Sequence, residues 1–224
     1  MRMRKKKHLE ERLSAVSDIL FISDIEDRNF NTAVKAAEYI DFNAWFKRNA
    51  PIVLEIGCGK GGFAAEYAGL HPEVNYIAVE KDSNVIVSAC ETAKEKGISN
   101  IRFIKCSAEY LPKYITPNSA ELIILNFSCP FPKNKYAAHR LTHERFLNIY
   151  RGIMKKGAEI HQKTDNMKLF EFSVESFSQN GFALKNVSLD LHGSDFVGNI
   201  ETEYEHKFAS QGLPIYRLEA YIKD

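Results

Sequence analysis

The sequence predicts an α/β fold, a mostly parallel seven-stranded sheet with helices on both faces. Three observations predict it. Short apolar runs end in glycine or an acid, helical patterns alternate with them, and Ala120-Glu-Leu-Ile-Ile-Leu-Asn-Phe127 is apolar enough for a strand buried on both faces. Such alternation implies right-handed crossovers and a ligand site at the carboxyl ends of the strands.

The elements follow in order. Apolar residues at helical spacing from Asn29 to Arg48 (Val34, Ala37, Ile40, then Trp45 and Phe46) predict a leading helix. Ile52–Ile56 is the first strand, Gly61–Leu70 a helix and Asn75–Glu80 the second strand. Ser83 is placed to N-cap a helix running to Lys96, with Gly97 just past its end. Ile101–Cys106 and Ala120–Phe127 are the third and fourth strands. A loop with Pro130 and Pro132 leads to a helix over Thr142–Lys155, then a fifth strand over Ala158–Lys163. A helix over Met167–Gln179 stops before Gly181, and Phe182–Leu189 and Leu213–Ile222 complete the sheet. Phe170, Phe172 and Phe177 read as the core face of their helix. The composition changes near Pro51, which separates an arm and leading helix at 1–50 from the main domain at 51–224.

At 224 residues the chain is long enough for one domain with attachments. Charged residues are 26% and the net charge is +1, so no strong overall field points to nucleic acid or membrane. Residues 1–12 are the exception, with six Lys/Arg against two Glu. Met3, Leu9 and Leu13 give that run little to dock with, so it reads as a solvated tail unless it binds phosphate. No apolar run approaches the roughly 20 residues of a membrane span, and no apolar segment of a secretion signal follows the basic start. Four cysteines without a CxxC pair fit a reducing, cytoplasmic setting. Of these, Cys58 and Cys106 read as small buried hydrophobes.

Two stretches carry chemistry. Glu55-Ile-Gly57-Cys-Gly59-Lys-Gly61-Gly62 turns from the first strand into a helix, where glycines let the backbone approach a ligand. Gly57, Gly59 and Gly62 would also suit a dinucleotide, while Glu55, two residues before the first glycine, can accept a hydrogen bond from a ligand's ammonium. Glu80, ending the second strand, is placed for ribose hydroxyls with either ligand, and Ser107 can give or take one hydrogen bond nearby. The second stretch, Asn126 to Thr142, combines prolines, a stacking face at Phe131 and cationic groups at Lys133, Lys135, His139 and Arg140 that can meet phosphates. His143 and Glu144 lack a second ligand pair at zinc spacing, and no metal is expected. His161 is open to two readings, orienting a pocket or sitting satisfied in the core; His192 and Asp195 receive no role.

The glycine turn resembles the S-adenosyl-L-methionine loop of class I, Rossmann-like methyltransferases. With its neighbours the chain resembles the bacterial tRNA (guanine-N7)-methyltransferase family over nearly its whole length. The motifs are Met1-Arg-Met-Arg4, Glu55–Gly61, Leu125-Asn-Phe-Ser-x-Pro-x-Pro-Lys133, Arg140-Leu-Thr142, His161-x-Lys-Thr-Asp165 and Gly198-Asn-Ile-x-Thr-Glu-Tyr-Glu205-x-Lys-Phe208. The resemblance implies methyl transfer to N7 of a guanine in the tRNA variable loop. It implies that Glu55, Gly57, Gly59, Gly61, Glu80, Ser107 and Cys129 hold the donor. Lys133, Asp165, Thr202, Glu203, Tyr204 and Glu205 would handle the guanine. Cys129 stands at the family's catalytic aspartate and Phe131 at its tryptophan, while Ser107 replaces a common cofactor-contacting aspartate. Cys129 is expected to be a buried or neutral thiol rather than a nucleophile. Other readings are a tRNA-binding module of the same fold with weakened or lost turnover, and a methyltransferase for another substrate; a nicotinamide oxidoreductase fits poorly. A monomer and a weak homodimer are both compatible with the sequence. Lys133, Lys135, Arg140 and the 1–12 arm are expected on phosphates.

Overall fold

Apolar runs become strands and glycines end them in the computed structural model, which describes residues 6–23 and 36–223. The chain divides into two compact units, Met1–Thr116 and Pro117–Asp224. In the first unit, strands β1 (Leu20–Ile22), β2 (Ile52–Ile56), β3 (Asn75–Glu80) and β4 (Ile101–Lys105) lie in the order β1-β4-β3-β2, all parallel. The register pairs Glu55 with Ala78 and Glu80 with Lys105, so both acids sit at or next to the carboxyl ends of their strands. Leu54, Tyr76, Ile77, Ala78, Phe103 and Ile104 are fully buried, as continuous apolar strands in a parallel sheet require. Among the described residues the unit's α-helices are α1 (Leu9–Ala15), α2 (Phe42–Phe46), α3 (Gly62–Leu70), α4 (Ser83–Glu95) and α5 (Leu111–Tyr114).

The second unit holds β5 (Ala120–Asn126), β6 (Met154–Thr164), β7 (Phe182–Ser188) and β8 (Tyr216–Ile222). β5 and β6 are parallel, whereas β8 runs antiparallel to both β6 and β7. Helices α6 (Glu144–Ile153), α7 (Met167–Gln179) and α8 (Glu203–Ala209) join them. Phe170 and Phe177 of α7 are buried as predicted. Phe172 is only half-buried, its ring lying 4.4 Å from the Arg140 guanidinium carbon.

Several expectations change. Eight strands are present among the described residues, not seven; β1 is three residues long, too short to show a period in sequence. The leading helix is not one element. Residues 24–35 lie outside the described residues. Glu38 and Ile40 donate their amides to the carbonyls of Lys113 and Tyr114 at 2.8 and 2.9 Å, which leaves this segment extended. Those carbonyls end α5 and need donor partners, so the tertiary pairing overrides a weak helical pattern. Asp82, not Ser83, caps α4, its Oδ1 accepting from the Asn84 amide at 2.8 Å. The helix expected to reach Lys155 ends at Ile153, because Met154 pairs with Ala120 to open β6.

The basic arm does dock. Leu9, Leu13 and Val16 are buried. Arg12 grips Glu91 through both ends of its guanidinium (Nε to Oε1, 2.7 Å), and the Lys6 amide donates to Asn84 Oδ1 at 2.8 Å. The Lys6 ammonium lies on the Ser88 hydroxyl. Three apolar residues on one helical face sufficed, which composition alone understated. Residues 1–5, including the Met1–Arg4 motif, lie outside the described residues.

Candidate functional site

The glycine turn is built on β3. Gly57 and Cys58 donate their amides to the Val79 carbonyl at 2.8 and 3.0 Å, and Gly61 to the Cys58 carbonyl at 3.0 Å. Gly57 and Gly59 have φ of 85° and 57°, and a Cβ on either would enter open space above the turn. Gly61 differs, since a Cβ there would lie 2.6 Å from the Ala89 Cβ, so this glycine serves the packing of the turn on α4. Two glycines leave room for a ligand and one lets the helices close up.

Acids surround this turn. Glu55 is buried, and the Tyr76 hydroxyl donates to its Oε2 at 3.0 Å. Burial, then the carboxylates of Glu55 and Glu80, push the Cys58 thiol well above the ordinary range. Glu80 Oε1 accepts from the amides of Lys81 and Asp82 at 2.8 and 3.0 Å. Its Oε2 has no partner among the described residues. One oxygen is thus fixed by the backbone while the other stays open for a hydroxyl. Ser107 donates its hydroxyl to Glu109, a carboxylate that the sequence reading passed over. An electronegative turn with an open carboxylate oxygen fits a cationic adenosyl donor.

In the second unit, β5 ends at Asn126, whose buried Nδ2 has no hydrogen-bond partner among the described residues. The proline loop then begins with Phe127 at φ 48° and contains Phe131 at φ 41°, left-handed conformations that cost a bulky residue energy. Arg140 holds this loop from below, donating to the carbonyls of Pro130 and Phe131 at 3.1 and 3.0 Å. Two of its five guanidinium donors thus clamp the loop. Lys133 and Lys135 are exposed, and the Lys133 ammonium has no partner among the described residues. Lys135 Nζ lies 5.0 Å from the Tyr136 ring centroid.

Cys129 is exposed, so of the two expected alternatives, a buried or a neutral thiol, the buried one falls away; Phe127 and Phe131 flank it in left-handed conformations. Cys58, Cys90 and Cys106 are buried, and burial raises the last two to about 12.

Asp165 is the single residue between Thr164, the end of β6, and Asn166, whose Oδ1 caps α7 by accepting from the Leu169 amide at 2.9 Å. Half-buried, its carboxylate has no partner among the described residues. Thr202 Oγ1 caps α8, accepting from the Glu205 amide at 2.9 Å. Tyr204 is 63% exposed, and its ring stacks on Phe127 at 6.3 Å and 24°. The side chain of Glu203 lies outside the described residues.

Glu205 turns inward. It is fully buried and takes hydrogen bonds from Lys163 Nζ at 2.6 Å and Asn199 Nδ2 at 2.5 Å, with His192 Nε2 at 3.0 Å. Lys163, His192 and Asn199 were not assigned from sequence. The signal that could have found them is the capping box Thr202-x-x-Glu205, which sends the glutamate back toward its own helix start.

His161 does not sit in the core. It lies half-exposed beside Glu159 (2.9 Å) and Glu219 (3.9 Å), carboxylates that Lys185 and Arg217 also engage. Burial opposes ionisation of Glu159 and Glu219, yet these hydrogen bonds hold both below the usual carboxylate range. His143 caps α6, Nδ1 accepting from the Arg145 amide at 3.3 Å. Among the described residues no helix is long and apolar enough to cross a membrane.

Comparisons with known proteins converge on one family. A family model described as "Putative methyltransferase" matches residues 49–218. A tRNA (guanine-N(7)-)-methyltransferase of Macrococcus caseolyticus (strain JCSC5402) is 43% identical over 220 residues, covering 98% of this chain and 99% of that protein. One so named from Listeria monocytogenes serotype 4a (strain HCC23) is 47% identical over 175 residues, 78% of this chain and 82% of that protein. The crystal structure of the 16S rRNA methyltransferase KamB superposes with a TM-score of 0.58 at 15% identity, covering 90% of this chain and 96% of that one. That likeness shows a shared fold of the class I, Rossmann-like methyltransferase kind, and the sequence relatives show more: the chain belongs to the tRNA (guanine-N7)-methyltransferase family.

Proposed function

We propose that this protein transfers the methyl group of S-adenosyl-L-methionine to N7 of a guanine in the variable loop of tRNA. The observation that carries this reading is 43% identity across nearly the full length of both this chain and a relative so named. The residues fit the donor: Gly57 and Gly59 leave room above the turn, and Glu80 keeps one oxygen open. When bound, the donor supplies an electrophilic methyl on a sulfonium.

Guanine N7 carries an in-plane lone pair and no proton, so no side chain need act as a base. The protein's work is to bind both partners and hold the base still. Glu80 Oε2 accepts from a ribose hydroxyl, and Ser107, oriented by Glu109, accepts a further hydrogen bond. Glu55, held by Tyr76, supports the turn and draws the donor's positive end toward it.

On the acceptor side Asp165 accepts from the N1–H and amino edge of guanine, as carboxylates do for base donors. Methylation makes the purine cationic, and the same carboxylate then lies near the new charge. Lys133 meets an adjacent phosphate, Tyr204 offers a ring face, and Thr202 with Glu205 fixes the start of α8. Cys129, in the proline loop, has no proton to move in this reaction.

The test is to incubate the protein with unmodified tRNA and methyl-labelled donor, then digest the RNA to nucleosides. Labelled 7-methylguanosine from the variable loop is expected. Label in any other nucleoside, or none with enzyme in excess over tRNA, would overturn the reading.

A further inference from the structure

Lys163 lies in β6 between two neighbours, paired with Asn126 of β5 on one side and Arg217 of β8 on the other. Its side chain is buried, and among the described residues its ammonium donates to three acceptors: Glu205 Oε2 at 2.6 Å, the Ile200 carbonyl at 2.8 Å and Asn199 Oδ1 at 3.0 Å. An ammonium has three protons, so these partners use its full donor capacity. Its carbonyl, meanwhile, accepts from the Phe127 amide at 2.9 Å, where the proline loop begins. One residue therefore touches both segments that the proposed function assigns to the acceptor: its side chain holds 199–205 and its backbone holds Phe127. Tyr204, stacked on Phe127, links the two again. His192 completes the set by hydrogen-bonding Glu205 Oε1, the oxygen that Lys163 does not take.

A buried ion pair contributes little stability compared with apolar residues of the same volume, while loss of one partner strands the other charge. Its value here lies in geometry. We propose that Lys163 and His192 are positioning residues for the acceptor, acting through Glu205 to set the 199–205 segment and the Tyr204 ring, and that Lys163 binds no phosphate. This rests on the reading of the second unit as the acceptor side.

The test compares Lys163→Met, His192→Ala and His192→Gln in the full chain. In folded K163M, kcat for tRNA methylation is expected to fall on the order of a hundredfold, as misplacement of reacting groups does. Affinity for the donor and the salt dependence of tRNA binding should hold. Amide exchange at 199–205, followed without RNA or donor, should accelerate while β6 stays protected. H192A should lose about tenfold in kcat, the scale of one hydrogen bond to a charged group, and H192Q, which keeps a donor at that reach, should recover most of it. A K163M protein with unchanged kcat, a raised KM for tRNA and a shallower salt dependence would make Lys163 a phosphate ligand and overturn the proposal. Unchanged exchange at 199–205 would overturn it as well. Should K163M fail to fold, the histidine pair decides, because equal losses in H192A and H192Q, or none in either, count against positioning. A wild-type protein that methylates no tRNA would sink the proposed function, yet the exchange measurements would still decide whether Lys163 and His192 order this segment.

Discussion

An exposed thiol at position 129 puts a weak hydrogen-bonding group where the family resemblance calls for a carboxylate. Because N7 methylation moves no proton, that replacement removes a charge-assisted contact and not a base. Such a contact is worth about 1.5–3 kcal/mol, roughly ten- to a hundredfold in rate or binding. Cys129→Asp should therefore raise kcat/KM for methyl transfer by about that factor, and melting temperature should stay put because the site is exposed. An unchanged rate in a folded C129D protein would mean that another acid already fills the role; Asp165, half-buried and without a partner among the described residues, is the one at hand. Sequence alone placed Cys129 correctly in the loop but not its exposure. The loop around it has Phe127 and Phe131 in left-handed conformations, which no propensity scale assigns to phenylalanine.

Elements show where local signals were sufficient. β2, β3 and α7 have the ends that apolar runs and capping residues predict, since each is specified within its own residues. The segment at 36–41 and the short β1 depend on partners distant in sequence, and there the pattern failed. Docking of α1 is of the same kind. Its Arg12–Glu91 contact has a testable pH dependence. The hydrogen bond from Arg12 lowers the Glu91 pKa, so the contact stabilises docking above the ordinary glutamate range and is lost as pH falls through the lowered folded value. Amide exchange over α1 should thus rise on acidification below about pH 4, before the main sheet opens. In Arg12→Gln, α1 should exchange faster already at neutral pH and show a smaller acid step. A step of unchanged size in that variant would place the titration elsewhere, with Asp18, lowered by Lys94, as the next group to vary.

For the whole molecule, a net charge of +1 leaves little long-range attraction for an RNA, so phosphate binding must rest on a few local cations. The structure narrows these. Arg12 and Arg140 are engaged with Glu91 and with loop carbonyls, and Lys163 with Glu205, Asn199 and Ile200. Lys133 and Lys135 remain exposed on the proline loop. Charge counts in the sequence could not make this division, because whether a cation faces RNA or a carbonyl is decided by folding. The division predicts a pattern in the salt dependence of tRNA affinity. Each phosphate contact contributes roughly 0.7–0.9 to the slope of log affinity against log salt. Lys133→Ala and Lys135→Ala should each reduce that slope by about one contact and weaken binding at low salt more than at high salt. Arg140→Ala should leave the slope nearly unchanged and instead lower kcat, because the loop carbonyls of Pro130 and Phe131 lose their clamp. A slope that falls in R140A and holds in K133A would reverse the assignment, making the loop's clamp the RNA contact and its free ammonium a bystander.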